Sequence, residues 1–301
     1  MRKVLISFIA IVIVGAGVLF GIKNWQHHSL NQSLSKTEKV SHINLVALGD
    51  SLTEGVGDTQ KLQGYSGRIA KELREKYDIS VTMKNFGKAG DRSDQIEKRL
   101  VSQSDFQNSL KNADVLVMTV GGNDLQQLLL KNITASSPKA LSEAVIKGKQ
   151  NYQNRLVKLL KTVRGYNKQA PIFIFGNYNP LYVHFANRED FNDDVKKFNA
   201  INAKLATRDG NAYYVSSFDL TYGQFKTKSQ RQKLVKQIES DSLEKNATKT
   251  MTAVLTGQTG VDNNWISKDD NYHPNNKGYQ YMTSQLFHVM KREEKHWLIK
   301  H

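Results

Sequence analysis

The 301-residue chain contains no cysteine. That excludes a disulfide framework, a thiolate zinc site, an iron–sulfur cluster and a cysteine nucleophile. Proline is scarce, with four in all, too few for a proline-rich linker. Acidic residues are outnumbered, 28 against 43 Lys and Arg, for a net charge of +15. Such an excess attracts polyanions but carries no information about fold. Several motifs are also missing. There is no G-x-x-x-x-G-K-[ST] phosphate loop, no G-x-G-x-x-G after the first strand and no H-E-x-x-H. The G-x-S-x-G elbow is absent because Ser51 is followed by Leu52-Thr53. These gaps weaken nucleotide-binding, zinc-protease and ordinary α/β-hydrolase readings. Apolar material is not lacking: 39% of residues are hydrophobic, with 12 Phe and 12 Tyr, enough for a sizeable core.

Long hydrophobic runs are limited to one. Val4 to Ile22 is nineteen residues with one Ser and no charge, directly after Arg2-Lys3. At about 1.5 Å rise per residue it matches the roughly 30 Å hydrocarbon core of a bilayer. A cleaved signal peptide has a shorter apolar region, about 7–15 residues, ending in a small-residue site. The run here ends Leu19-Phe20-Gly21-Ile22-Lys23 without one. Residues 1–23 are therefore expected to be an uncleaved signal-anchor, a single transmembrane helix with Arg2 and Lys3 inside. The alternative is a cleaved signal peptide and a secreted product. Residues 24–42 read as a polar linker, in which His27 and His28 are solvated and not a metal pair.

Residues 43–301 read as one domain. Short apolar runs at Ile43–Leu48, Val81–Met83, Asp114–Val120, Pro171–Phe175 and Ala212–Val215 are expected strands. Between them lie helical patterns at Tyr65–Tyr77, Ser93–Val101, Asp124–Lys131, Pro138–Arg164 and Glu189–Thr207, with Asn275–Lys291 closing the chain. Alternation of this kind predicts a doubly wound α/β domain with a mostly parallel sheet. Ligands in such folds bind at the carboxyl ends of the strands. The segments to inspect are therefore Gly49-Asp50-Ser51, Asn85 to Asp91, Gly121 to Asp124 and Asn177 to Pro180, followed by Asp270 to Pro274.

Ser51 ends the first strand, and a serine hydroxyl needs an adjacent base oriented by a third group. Of eight histidines, His273 alone sits three residues after an Asp and directly before a helix start. That spacing on a tight turn can bring the Asp270 carboxylate to one ring nitrogen while the other faces Ser51. His184, His288 and His296 read as loop or helix surface. Acyl transfer also needs oxyanion donors: the Ser51 and Gly90 backbone amides and the Asn123 side-chain amide are candidates. Each piece alone has an ordinary explanation as a turn, a cap or a surface pair. Their weight lies in falling, in order, at successive strand ends.

Gly49-Asp50-Ser51-Leu52, then Asn85 with Gly90-Asp91, then Gly121-x-Asn123-Asp124, then Asp270-x-x-His273-Pro274 closely resemble the four conserved blocks of the SGNH hydrolases, or GDSL lipase/esterase family. The similarity spans about 230 residues and is strongest to the bacterial exported lipase/acylhydrolase branch. It implies a flavodoxin-like three-layer α/β/α sandwich with a five-stranded sheet. It also implies Ser51 as nucleophile, His273 as general base and Asp270 as its orienting partner, with Asp269 the less fitting neighbour. Gly90, Asn123 and the Ser51 amide would form the oxyanion hole. No metal and no organic cofactor is expected. The activity implied is hydrolysis of carboxylic esters at the outer cell surface, on a small-molecule or lipid ester. The alternatives are an O-acetylesterase of cell-surface glycans and a catalytically idle surface-binding module. Tyr178, after the fourth strand, is a candidate for flanking the substrate. Phe218–Lys268 is a long insertion whose stretch Lys226–Lys249 holds seven basic and three acidic residues, and it reads as a flap or as a solvated helix face. The basic domain is expected to be drawn to anionic lipids or wall polymers. No nucleic acid is expected, since lysines spread along the whole chain without a binding motif.

Overall fold

In the computed structural model, residues 39–131, 138–240 and 262–299 are described. The sheet is built from β1 (His42–Gly49), β2 (Ser80–Gly87), β3 (Val115–Met118), β4 (Ile172–Phe175) and β5 (Ala212–Val215). They lie in the order β2-β1-β3-β4-β5, and all four pairings are parallel. The expected mostly parallel sheet is thus wholly parallel. The central strands are apolar along their length because both faces are covered. Successive side chains point to opposite faces: Val115 and Val117 enter one core, Leu116 and Met118 the other.

The helices are α1 (Ser51–Glu54), α2 (Gly64–Tyr77), α3 (Ser93–Ser102), α4 (Ser104–Lys111), α5 (Gly122–Lys131), α6 (Pro138–Tyr166), α7 (Glu189–Asp209), α8 (Lys228–Ser240) and α9 (Asn276–Arg292). On one face of the sheet, Ile96, Phe106, Leu156 and Phe198 of α3, α4, α6 and α7 close over Leu48, Met118 and Ile174. On the other, Ile69 and Leu73 of α2 pack with Met282 and Leu286 of α9 over Leu45, Val117 and Phe173. Three layers result, as expected for this class. Two of these helices, α1 and α4, fall where no helix is expected from the sequence pattern, while α8 lies in the basic stretch read as a flap or a solvated helix face.

Val40–Leu298 form one compact unit. The apolar run 4–22 and most of the linker lie outside the described residues. Among the described residues, no helix is long and apolar enough to cross a membrane.

The strand order reverses between β1 and β3, on either side of which the chain winds in opposite directions. In this topology such a switch point opens a crevice at the carboxyl edge. Register brings Gly49 level with Gly87 of β2, and Leu48 level with Met118 of β3. The turns that follow these strands therefore share one rim.

Candidate active site

Ser51 leaves β1 as the first residue of α1, a helix capped by Asp50, whose Oδ1 accepts from the Leu52 amide at 3.1 Å. Beneath it runs a buried chain of hydroxyls. Thr119 Oγ1 donates to Asp50 Oδ1 at 2.7 Å and lies 2.8 Å from Thr53 Oγ1, which in turn meets the Tyr65 hydroxyl at 2.6 Å. Gly49 has to be glycine: a Cβ there would stand 2.5 Å from both the carbonyl and the hydroxyl of Thr119. Burial pushes the Asp50 carboxyl up, against the opposing bonds from Thr119 and Leu52. Thr119 was not singled out in the sequence. Its only local signal is a polar residue at the end of an apolar strand.

The second turn, after β2, is tied to the first by Arg99. Its guanidinium pairs with Asp91 at 2.5 Å and donates to the Gly49 carbonyl at 3.1 Å and the Phe86 carbonyl at 3.0 Å. Arg99 lies eight residues beyond Asp91 on α3, and no local pattern marks it. Asn85 braces the same turn from within, donating to the Thr53 carbonyl at 2.6 Å and accepting from the Gly87 amide at 2.8 Å. Gly90 is exposed on this turn at φ +82°, with open space around it.

After β3 the chain turns at Gly121 and enters α5. Asn123 is buried and donates from Nδ2 to the Asp91 carbonyl at 3.0 Å. A carboxamide has two N–H groups, so this bond uses one of them. Asp124 anchors the start of α3 by accepting from the Ser93 amide and hydroxyl, both at 2.8 Å.

His273 comes from a loop, Asn263–Pro274, that is closed on itself. The Ser267 amide donates to the His273 carbonyl at 2.7 Å, and the Asn275 amide to the Trp265 carbonyl at 3.0 Å. Within it, Asp270 Oδ1 accepts from the backbone amides of Tyr272 (2.9 Å) and His273 (3.0 Å). Its other oxygen lies 2.5 Å from His273 Nδ1. Asp269 instead faces the Ser267 hydroxyl at 3.2 Å. Burial pushes the Asp270 carboxyl up, but the ring N–H and the two amides outweigh this and hold it below the usual carboxylate range. A carboxylate only accepts, so Nδ1 carries the ring proton and Nε2 presents a lone pair. That nitrogen sits 2.8 Å from Ser51 Oγ. Hydroxyl, imidazole and carboxylate thus form one hydrogen-bonded line across 222 residues of sequence.

A cavity of about 20 Å3 adjoins Ser51, bounded by Asn123, Asn177, Tyr178, Pro180 and Tyr272 among others. Tyr178 is buried, and its hydroxyl donates to the Tyr272 carbonyl at 2.7 Å. Gly90 does not line this cavity, although its neighbour Asp91 is bonded to Asn123. A second cavity of about 670 Å3 lies between α7 and α8, bordered by Tyr182, Asn192, Lys196, Tyr222 and Arg231. It contains none of Ser51, Asp270 and His273; the smaller one is lined by Ser51 and lies beside His273's neighbour Tyr272.

One sequence expectation needs correction. His184 is not on the surface: it is buried in the short turn Tyr182–His184, and burial pushes its ring down to about 4. The described part of the insertion does not cover Ser51. Leu234 and Ile238 of α8 pack instead on Tyr182, Val183 and Ala186, because the helix has its own apolar stripe to bury. Residues 241–261 of the insertion lie outside the described residues.

The chain matches the model of the GDSL-like Lipase/Acylhydrolase family over residues 47–281. It is 28% identical over 263 residues to the uncharacterized protein YpmR of Bacillus subtilis, covering 87% of each chain. It is 27% identical over 139 residues to the spore germination lipase LipC of Bacillus licheniformis, covering 46% of this chain and 65% of that one. Among solved structures, the lipase Lip_vut3 from a goat rumen metagenome superposes with a TM-score of 0.61 at 20% identity, over 83% of this chain and 97% of the other. The acetylxylan esterase Axe2 of Geobacillus stearothermophilus gives 0.51 at 12% identity, over 85% and 96%. At these identities the superpositions establish the fold alone.

Proposed function

This chain belongs to the GDSL-like lipase/acylhydrolase family and is a carboxylic ester hydrolase, and we propose that it works in two steps through an acyl-Ser51 intermediate. His273 Nε2 takes the Ser51 proton as Oγ attacks the ester carbonyl. The developing oxyanion is met by the Ser51 and Gly90 amides and by the second N–H of Asn123. Collapse expels the alcohol, which leaves with the proton held on His273. Water then attacks the acyl-enzyme, His273 accepts its proton, and that proton returns to Ser51 as the carboxylic acid departs. Asp270 keeps the ring in the tautomer this sequence requires.

The observation that carries the proposal is the line Ser51 Oγ–His273 Nε2 at 2.8 Å with Asp270 on the opposite ring nitrogen. Ser51→Ala is expected to lower turnover of p-nitrophenyl acetate by at least 10³-fold, since the triad nucleophile is gone, and to abolish labelling by a fluorophosphonate. Parental turnover in that variant would overturn the assignment.

For substrate, the cavity beside Ser51 favours a short acyl group over a long one. It is small, about 20 Å3, and bounded by Tyr178, Pro180 and Tyr272. This supports an O-acetyl ester over a long-chain lipid. A p-nitrophenyl panel from C2 to C16 tests it: activity should peak at acetate, and a maximum at C8 or longer would reject it. The apolar run 4–22 and the positive charge support a position outside the membrane, near anionic lipids or wall polymers. Fractionation of cells carrying a tagged full chain tests that placement.

A further inference from the structure

We propose that the Tyr178 ring is the wall that sets acyl length, held in place by the backbone of the catalytic loop; this rests on the acyl-Ser51 reading above. The wall is built from three directions. Its backbone is fixed after β4: the Asn177 amide donates to Asn199 Oδ1 at 2.6 Å, and the Asn179 amide to Thr221 Oγ1 at 2.9 Å. Between these two bonds Tyr178 lines the cavity that Ser51 and Asn123 also line. The far end of its side chain is tied to the Tyr272 carbonyl at 2.7 Å. The ring is therefore restrained at its Cα and at its hydroxyl, and only 8% of the residue is exposed.

A side chain pinned at both ends in a close-packed interior does not swing aside for a longer substrate. A longer acyl chain running along this wall meets the Tyr178 side chain, and accommodating it requires a rotamer change together with loss of a buried hydrogen bond. The tether has a second effect. The Tyr272 carbonyl belongs to the peptide that leads into His273, so the residue limiting the acyl group is joined by one bond to the loop that carries the base. Tyr178 touches no proton in the reaction. It is a specificity-determining residue, and its signature is a change in the ratio of two substrates.

The test compares kcat/KM for p-nitrophenyl hexanoate and acetate in the full chain and three variants. Tyr178→Ala deletes the ring and is expected to raise the hexanoate-to-acetate ratio at least tenfold. Tyr178→Leu keeps an apolar side chain in the core, serves if the Ala variant does not fold, and is expected to raise it at least threefold. Tyr178→Phe keeps the ring and loses only the tether, so its rise should be smaller than that of either. Ratios in the Ala and Leu variants within twofold of the parent would overturn the proposal. So would a Phe ratio equal to that of Ala, which would shift the limit from ring to tether. If the parent hydrolyses neither ester and takes up no fluorophosphonate, the acyl-Ser51 reading fails instead, a result distinct from an unchanged ratio in an active enzyme.

Discussion

Ser51 and His273 meet at 2.8 Å, yet they are held by different kinds of structure. Ser51 stands on the end of a central strand. Every group beneath it is buried, and its support runs through Thr119, just after β3, and Thr53 of its own helix to Tyr65 of α2. His273 stands on a loop whose restraints are mostly its own: Asp270 holds amides two and three residues away, and Ser267 closes the turn. The position of Ser51 is a property of the core. The position of His273 is a property of about a dozen consecutive residues. Damage to the first should register as lost stability, and damage to the second as lost turnover in a protein that still folds.

Asp270→Asn tests that contrast with the largest effect. An amide in that place no longer fixes the tautomer, so kcat should fall by about 10³–10⁴, while the urea midpoint changes little because the carboxylate is partly exposed. A drop in stability comparable to a core mutation would break the contrast. Thr119→Val is the converse. It leaves the buried Asp50 carboxylate without its hydroxyl donor, at a cost of about 1–3 kcal/mol of unfolding free energy, and kcat should fall far less than in Asp270→Asn. Urea denaturation read beside steady-state kinetics separates the two.

The smallest effect is a dependence on pH. Burial raises the Asp50 carboxyl above its ordinary 3.8, so the folded chain keeps a proton that the unfolded chain releases. As pH rises from about 4 through the folded value, Asp50 therefore subtracts from stability, and below that window it does not. Asp50→Asn retains a side-chain oxygen to cap α1 and removes the titration. Its Tm relative to the parent should climb as pH rises, and a difference flat in pH would show that Asp50 does not titrate in this way. Asp270 has the opposite sign: its depressed carboxyl adds stability above about pH 4 that is lost as pH falls through the folded value.

The sequence shows the strand-end blocks clearly for a physical reason: strands buried on both faces are almost unbroken apolar runs, so the polar residues that interrupt them stand out. Gly49-Asp50-Ser51 and Gly121 to Asp124 are legible on that basis, and Asp270-x-x-His273 is legible because its partners are three residues apart. Thr119 and Arg99 are not. Their role depends on which strand lies beside which, and no spacing along the chain encodes that. His184 misleads because what covers its short segment is α8, a helix that begins 44 residues later in the chain. Tyr178 is visible as a residue after β4, but its hydroxyl's partner, 94 positions away, is visible only in three dimensions.

The two ends of the insertion are sewn together. Asn263 Nδ2 donates to the Leu220 carbonyl at 2.7 Å, Gln224 Nε2 to the Asp262 carbonyl at 2.6 Å, and the Asn264 amide to Gln224 Oε1 at 2.9 Å. The chain thus enters and leaves through one stitched seam, and the catalytic loop begins immediately beyond it. Lengthening a loop whose ends already meet costs little, about 0.6 kcal/mol per doubling. A change of chain length between Gln224 and Asp262 is therefore expected to leave the seam closed and Asp270 and His273 beyond it in place, so long as α8 keeps its packing on Tyr182, Val183 and Ala186.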